Sequence, residues 1–157
     1  MNQIEIMYLA DLPDMVQTCA SWAYSQWGCQ SGGSLNHSIE RFTKCANKDR
    51  VPITFVAFFN DKPAGMASLW LNDCDEKPHL TPWLASVYVH PFYRGMHIAS
   101  LLIDKVESEA KHFGYKQCFL VTEEAKSLYA KCGWQEIEQI ETCYGSASLM
   151  QKNLIEI

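Results

Sequence analysis

A chain of 157 residues can bury one real core but not two comfortable ones, and 48% apolar with 20% charged residues is the balance of a globular protein. A net charge of −5 and the want of any basic run exclude the electrostatic footprint of a nucleic-acid binder. No apolar stretch nears the roughly 18 residues that cross a bilayer, and the N-terminus lacks the basic segment of a secretory leader, so neither membrane nor export is expected.

Residues 3–8 alternate as a first strand. Asp11 or Asp14 is then expected to cap a helix through Met15, Val16, Cys19, Trp22 and Ala23. The glycine- and serine-rich residues 28–34 read as a loop, after which Asn36 or Ser38 opens a second helix carrying Ile39, Phe42 and Cys45. The pattern changes at Pro52. Residues 53–59 (ITFVAFF) are β-branched and aromatic with apolar residues on both faces, an interior strand. Asn60 to Pro63 form a turn into a hairpin partner at 65–71. A polar loop with two prolines, 72–82, precedes a third strand of the series at 83–89. A long helix follows, with Ile98, Leu101, Leu102, Val106, Ala110 and Phe113 on one face and Gly114 at its end. Residues 117–121 form a short buried strand. Thr122 is expected to cap a helix carrying Glu123 and Glu124 in its first turn and Leu128, Tyr129 and Cys132 on one stripe. Two closing strands meet around Tyr144 and Gly145. The order β-α-α-β-β-β-α-β-α-β-β describes a single α/β domain over 1–157, with a mixed sheet and helices on both faces.

The seven cysteines are odd in number, form no C-x-x-C pair, and fall partly inside apolar periodic segments. They read as core thiols in a reducing compartment, which makes the expected location cytoplasmic. The five histidines show no ligand spacing, so no metal is expected.

The segment 87–110, VYVHPFYRGMHIASLLIDKVESEA, carries the chemistry. It runs from a strand through a proline turn and an Arg-Gly pair into a helix start, where unpaired N–H groups and partial positive charge favour anions. Arg94 adds a cation with forked donors, and Gly95 removes a Cβ where backbone must approach a ligand. On the residues alone, an ordinary surface turn explains the segment equally well.

YVHPFYRGMHIASLL resembles the acetyl-coenzyme A motif of the GNAT family of N-acetyltransferases, V-x-P-x-x-R-G-x-G-I/L-G/A. Arg94, Gly95, Ile98 and Ala99 agree with it, and His97 stands where the family has glycine. LYAKCGW (128–134) is similar to the family's later motif through Tyr129, Gly133 and Trp134, and TPWLASVYVHP fits a bacterial subgroup with P-W-L-A before the cofactor strand. The resemblance implies the GNAT fold: a mostly antiparallel sheet of about seven strands, flanked by four helices and splayed at a central parallel pair, here 83–89 and 117–121.

The resemblance also implies roles. Acetyl-coenzyme A is the cosubstrate. Val87, Tyr88 and Val89 pair with the pantetheine arm, with the Val89 N–H as oxyanion donor. Arg94, Gly95, Met96, His97, Ile98, Ala99 and Ser100 form the pyrophosphate turn, and Thr122 joins the cofactor-binding set. Tyr129 assists the departing sulfur. The expected reaction is direct transfer of an acetyl group to the primary amine of a small molecule in a ternary complex. A relay through Cys132 is disfavoured. Many relatives place a glutamate base on the strand before the pantetheine segment, where this chain has Leu84, Ala85 and Ser86. Asp73, Asp75 and Glu76 in the polar loop, or a water chain, are the alternatives. Trp22, Tyr24, Trp27 and Trp83 could wall the acceptor, and Trp27, Asp73 and Trp83 are the candidate substrate-binding residues. A homodimer is compatible with the sequence. The missing strand glutamate and His97 also admit a second reading, a non-catalytic acyl-coenzyme A sensor on the same fold.

Overall fold

The computed structural model describes residues 2–155. Seven strands form one sheet in the order β1-β2-β3-β4-β5-β7-β6. They are β1 (Ile4–Tyr8), β2 (Ile53–Phe59), β3 (Lys62–Trp70), β4 (Trp83–Val89), β5 (Gln117–Thr122), β6 (Gln135–Thr142) and β7 (Gly145–Asn153). Every neighbouring pair is antiparallel except β4–β5. The helices are α1 (Val16–Ala23), α2 (Leu35–Lys44), α3 (Ile98–His112) and α4 (Lys126–Lys131). None is long and apolar enough to cross a membrane.

The period of two along β2 decides which helix layer each side chain meets. Ile53, Phe55 and Ala57 turn to the cluster built on Ile98, Leu102, Ile103 and Val106 of α3. Val56 turns to the opposite cluster, with Cys19 and Ala20 of α1 and Phe42 of α2. This is why β2 is apolar on both faces, as an interior strand requires. Thr54, its one polar residue, is fully buried, and its hydroxyl meets that of Ser68 on β3 at 2.6 Å. On α3 the buried stripe takes in Ile103, whereas Leu101, expected on it, is 40% exposed.

The departures from expectation are mostly at element ends. No carboxylate caps α1: Asp11 closes a short 3-10 turn and pairs with Lys48 at 2.9 Å, and Met15 occupies the cap position. α1 continues into a wider π turn over Tyr24–Gly28, with the Cys29 N–H bonded to the Tyr24 carbonyl at 2.8 Å. α2 starts earlier than expected, because the Ser34 hydroxyl accepts from the His37 N–H at 3.0 Å. β3 begins at Lys62, since Asn60 and Asp61 both take positive φ and turn the hairpin in two residues. Thr122 ends β5 instead of capping α4. Its hydroxyl accepts the Ala125 N–H at 3.0 Å, Ala125 holds the cap position, and Glu123 and Glu124 lie in the connecting loop.

Candidate active site

β4 and β5 are in register at one position, Trp83 opposite Phe119. Beyond it no residue of β4 stands in register with one on β5, so the β5-facing edge is unpaired from Ala85 to Val89. The other edge of β4 is bulged. Ala85 pairs with Ser68 and Tyr88 with Met66, which leaves Ser86 and Val87 opposite Ala67 alone. Ser86 absorbs the extra residue in a left-handed conformation, φ 53°. Gly65 permits the close approach that follows, because a Cβ there would lie 2.5 Å from the Tyr88 carbonyl oxygen.

The opened strand forms one wall of a cleft of about 430 Å³. Val87, Tyr88, Val89, Arg94, Gly95, His97, Ile98, Ala99 and Ser100 line it, and Tyr129 and Leu128 of α4 close the far side. At its turn, the backbone N–H groups from Gly95 through Ser100 make no hydrogen bond within the described residues; the first amide to do so is Leu101, to His97. A run of free amides at the start of a fifteen-residue helix is a strong anion acceptor. Arg94 stands beside them. Its Nε donates to the Val89 carbonyl at 3.1 Å, which ties the turn to the end of β4. His97, at the position where the motif it resembles has glycine, takes a left-handed conformation, φ 63° and ψ 18°, immediately before the helix. Histidine is among the few non-glycine residues enriched there.

Tyr129 is 7% exposed and packs edge-on to Trp134 at 6.4 Å between ring centres. Burial pushes its phenol well above the ordinary range, with further contributions from Cys132, Asp73 and Glu123. Tyr129 therefore stays neutral across working pH, and Asp73 and Glu123 lie within electrostatic reach of it. Asp73 keeps a solvent-open face on the 72–82 loop. Crowding by the surrounding protein nonetheless raises its carboxyl to about 7, with Arg41 opposing the rise and Glu123 and Asp75 adding to it. Cys132 is the residue that closes α4, three positions after Tyr129 and on the stripe expected for it. It still does not line the cleft. The Cys19 and Cys118 thiols are raised to about 12 by burial, which leaves them protonated and unreactive.

Five expected site residues lie outside the cleft lining: Trp83, Thr122, Met96, Trp27 and Asp73. The Trp83 ring is fully buried with Trp70 and Phe119, and its indole N–H donates to the Leu80 carbonyl at 2.7 Å. It packs the foot of the β4–β5 pair and forms no part of an acceptor wall. Thr122 is buried and Met96 is exposed, and neither lines the cleft. Trp27 sits in the π turn, packed against the α1–α2 core. Sequence reasoning missed Gln26, Tyr93 and Ala125, which do line the cleft. Gln26 reaches it because the π turn rotates the end of α1, and Trp22 stacks on Tyr88 at 5.3 Å to hold that end over β4. A widened turn leaves no local mark in the sequence that would have shown this.

No curated protein matches the chain by sequence. Solved structures do match in fold. An aminoglycoside 6'-N-acetyltransferase crystallised with coenzyme A superposes with a TM-score of 0.78 at 15% identity, over 98% of each chain. The aminoglycoside 6'-N-acetyltransferase of Enterococcus faecium gives 0.75 at 16% identity, over 99% of this chain and 98% of that one. A GNAT-family acetyltransferase of Staphylococcus aureus Mu50 gives 0.73 at 17% identity, over 98% of this chain and all (100%) of the other. The sequence profile of the Acetyltransferase (GNAT) family matches residues 7–134, most of the chain and both arms of the cleft. The open β4 edge, the free amides before α3 and the tyrosine of α4 thus belong to a member of the GNAT acetyltransferase family.

Proposed function

We propose that this protein transfers an acetyl group from acetyl-coenzyme A to the primary amine of a small molecule, by direct attack with both substrates bound. The observation that carries this reading is the convergence, in one cleft, of an unpaired strand edge, a row of free helix-start amides and a buried neutral tyrosine. Acetyl-coenzyme A fits the cleft by chemistry. The amides from Gly95 to Ser100 and the free end of the Arg94 guanidinium suit a diphosphate. The β5-facing edge of Val87–Val89 suits the peptide-like amides of the pantetheine arm, as an added strand would.

When bound, the cosubstrate supplies a thioester carbon that the amine attacks, with a thiol as the leaving group. The residues of the chain then divide the work. Asp73, with a carboxyl near 7, is matched to accept a proton from an alkylammonium in neutral solution. Asp73, Asp75 and Glu123 together make the approach acidic, which attracts a cationic amine. The amides of the opened β4 edge, Val89 among them, are placed to meet the carbonyl oxygen as it gains charge. The Tyr129 phenol is a weaker acid than a thiol, whose ordinary pKa is near 8.5. Its part is therefore to donate a hydrogen bond to the sulfur as charge develops, without surrendering the proton.

Thiol release over a panel of amines tests the reading. Tyr129→Phe should lower kcat by about 10²-fold or more, the lower end of the range for removing one hydrogen-bond donor aimed at developing charge, with coenzyme A affinity nearly unchanged. Saturable coenzyme A binding with no turnover on any amine would instead establish the non-catalytic sensor.

A further inference from the structure

A second concavity, of about 310 Å³, lies between α2 and the adjoining ends of β2 and β3. Its floor is apolar, formed by Trp70, Cys45 and Pro52, and its rim carries His37, Arg41 and Lys44 against one carboxylate, Glu40. The Arg41 guanidinium lies over the Trp70 ring, 4.4 Å from its centre. Stacked in this way it is held at the rim with its N–H edge free. Among the described residues, neither Arg41 nor Lys44 has a carboxylate within ion-pair distance. Their place in the last turn of α2 suits the helix dipole. That accounts for the charges but not for the indole beneath them. Trp70 is 8% exposed, and its Nε1 is the buried side-chain polar atom left without a hydrogen-bond partner among the described residues. The one acceptor within its reach is the Cys45 sulfur, which takes the N–H only as a weak hydrogen bond. The groove also adjoins the acceptor carboxylate: Asn72 lines it, Asp73 is the next residue, and the charge of Arg41 is felt at Asp73.

We propose that this groove binds a carboxylate and is the far end of the acceptor site, so that the amine acetylated here carries a carboxylate beyond an apolar spacer. Assigning the groove to the acceptor rests on the acetyl-transfer reading; the carboxylate site itself does not. A polycationic acceptor would meet Arg41 and Lys44 with like charge, whereas an ω-amino carboxylate places its ammonium toward Asp73 and its carboxylate between the two cations.

Two measurements test this on the intact protein. In the first, hexanoate and hexanol are titrated while the indole N–H resonances of the five tryptophans are followed, with Trp70 identified through Trp70→Phe. Hexanoate should shift the Trp70 resonance saturably and hexanol should not. In the second, thiol release is compared for a series of ω-amino carboxylates, hexylamine and cadaverine. The best ω-amino carboxylate should exceed both in kcat/KM by about tenfold or more, the scale of a charge-assisted contact. Lys44→Met should remove most of that preference. A Trp70 resonance indifferent to hexanoate, or cadaverine turned over as fast as every ω-amino carboxylate, overturns the proposal and leaves acetyl transfer standing. If no amine is acetylated while hexanoate still shifts Trp70, the carboxylate site stands and the acetyl-transfer reading falls, together with the acceptor assignment.

Discussion

Lys152 of β7 reaches Glu107 of α3 at 2.7 Å, and the carboxylate it meets is almost sealed from water. The same ammonium donates to the Cys132 carbonyl at 2.6 Å, and the other carboxylate oxygen accepts the Trp134 indole N–H at 3.1 Å. Helix α3, the end of α4 and β7 are thereby tied at one buried point, and Trp134 in turn rests against Tyr129. Removing one partner of such a pair leaves a buried charge without compensation. Lys152→Met should destabilise the protein by about 3–5 kcal/mol in chemical denaturation. Lys152→Arg, which keeps the charge, should lose much less.

Arg94 holds the end of β4 through the Val89 carbonyl while its remaining donors face the cleft. Arg94→Ala should weaken acetyl-coenzyme A by about 1.5–3 kcal/mol, the cost of a charge-assisted hydrogen bond. The loss should shrink as salt is raised, because the turn is exposed. Calorimetry at two ionic strengths measures both effects. An unchanged dissociation constant would remove Arg94 from the anion site.

Asp73 sets the expected pH dependence. Its carboxyl is raised from 3.8 to about 7, first by desolvation from the protein crowded around its loop, with Arg41 opposing and Glu123 and Asp75 reinforcing. The folded state therefore binds more protons than the unfolded chain between those two values. Asp73's contribution to stability is present below the lower value and is lost as pH rises through the upper one. Asp73→Asn should accordingly narrow the fall in Tm with rising pH across that window. In catalysis the sign reverses, because a base must be ionised: kcat/KM should climb through about pH 7 in the native protein. Asp73→Asn should abolish that limb and move the rise toward the titration of the free amine. A native profile flat through that region would dismiss Asp73 as the base.

Much of the fold is legible because its signals are local. ITFVAFF shows an interior strand by being apolar on both faces, and the stripe of α3 shows its buried side, apart from the exchange of Leu101 for Ile103. The cofactor turn is legible for a related reason. Its free amides are consecutive, so the proposed anion site is contiguous in sequence from Arg94 to Ser100. The acceptor side is not contiguous, and there the sequence is a poorer guide. Trp83 looks like an aromatic wall, but strand alternation and its bond to Leu80 turn it into the core. Asp73 cannot be told from Asp75 in the chain, because what separates them is the crowding around one loop position and the nearness of Glu123 across it. Gln26 enters the cleft through a π turn that no local preference announces.

His97 is where local strain and ligand binding meet. A residue with a Cβ held at φ 63° and ψ 18° gives up about 1 kcal/mol relative to its preferred conformations. Glycine would not, and the exposed imidazole makes no hydrogen bond among the described residues that would compensate. His97→Gly should therefore stabilise the protein by no more than about 0.5 kcal/mol, once the loss from a looser unfolded chain is taken off. His97→Ala should not, since it keeps the Cβ and with it the strain. The amide that faces the cleft is common to all three residues, so coenzyme A affinity should stay within about twofold in His97→Gly, a difference below 0.5 kcal/mol. Thermal denaturation and calorimetry on the same samples decide the matter. A stabilised His97→Gly that binds coenzyme A tenfold more weakly would show that the imidazole itself, and not only the backbone beneath it, holds the diphosphate.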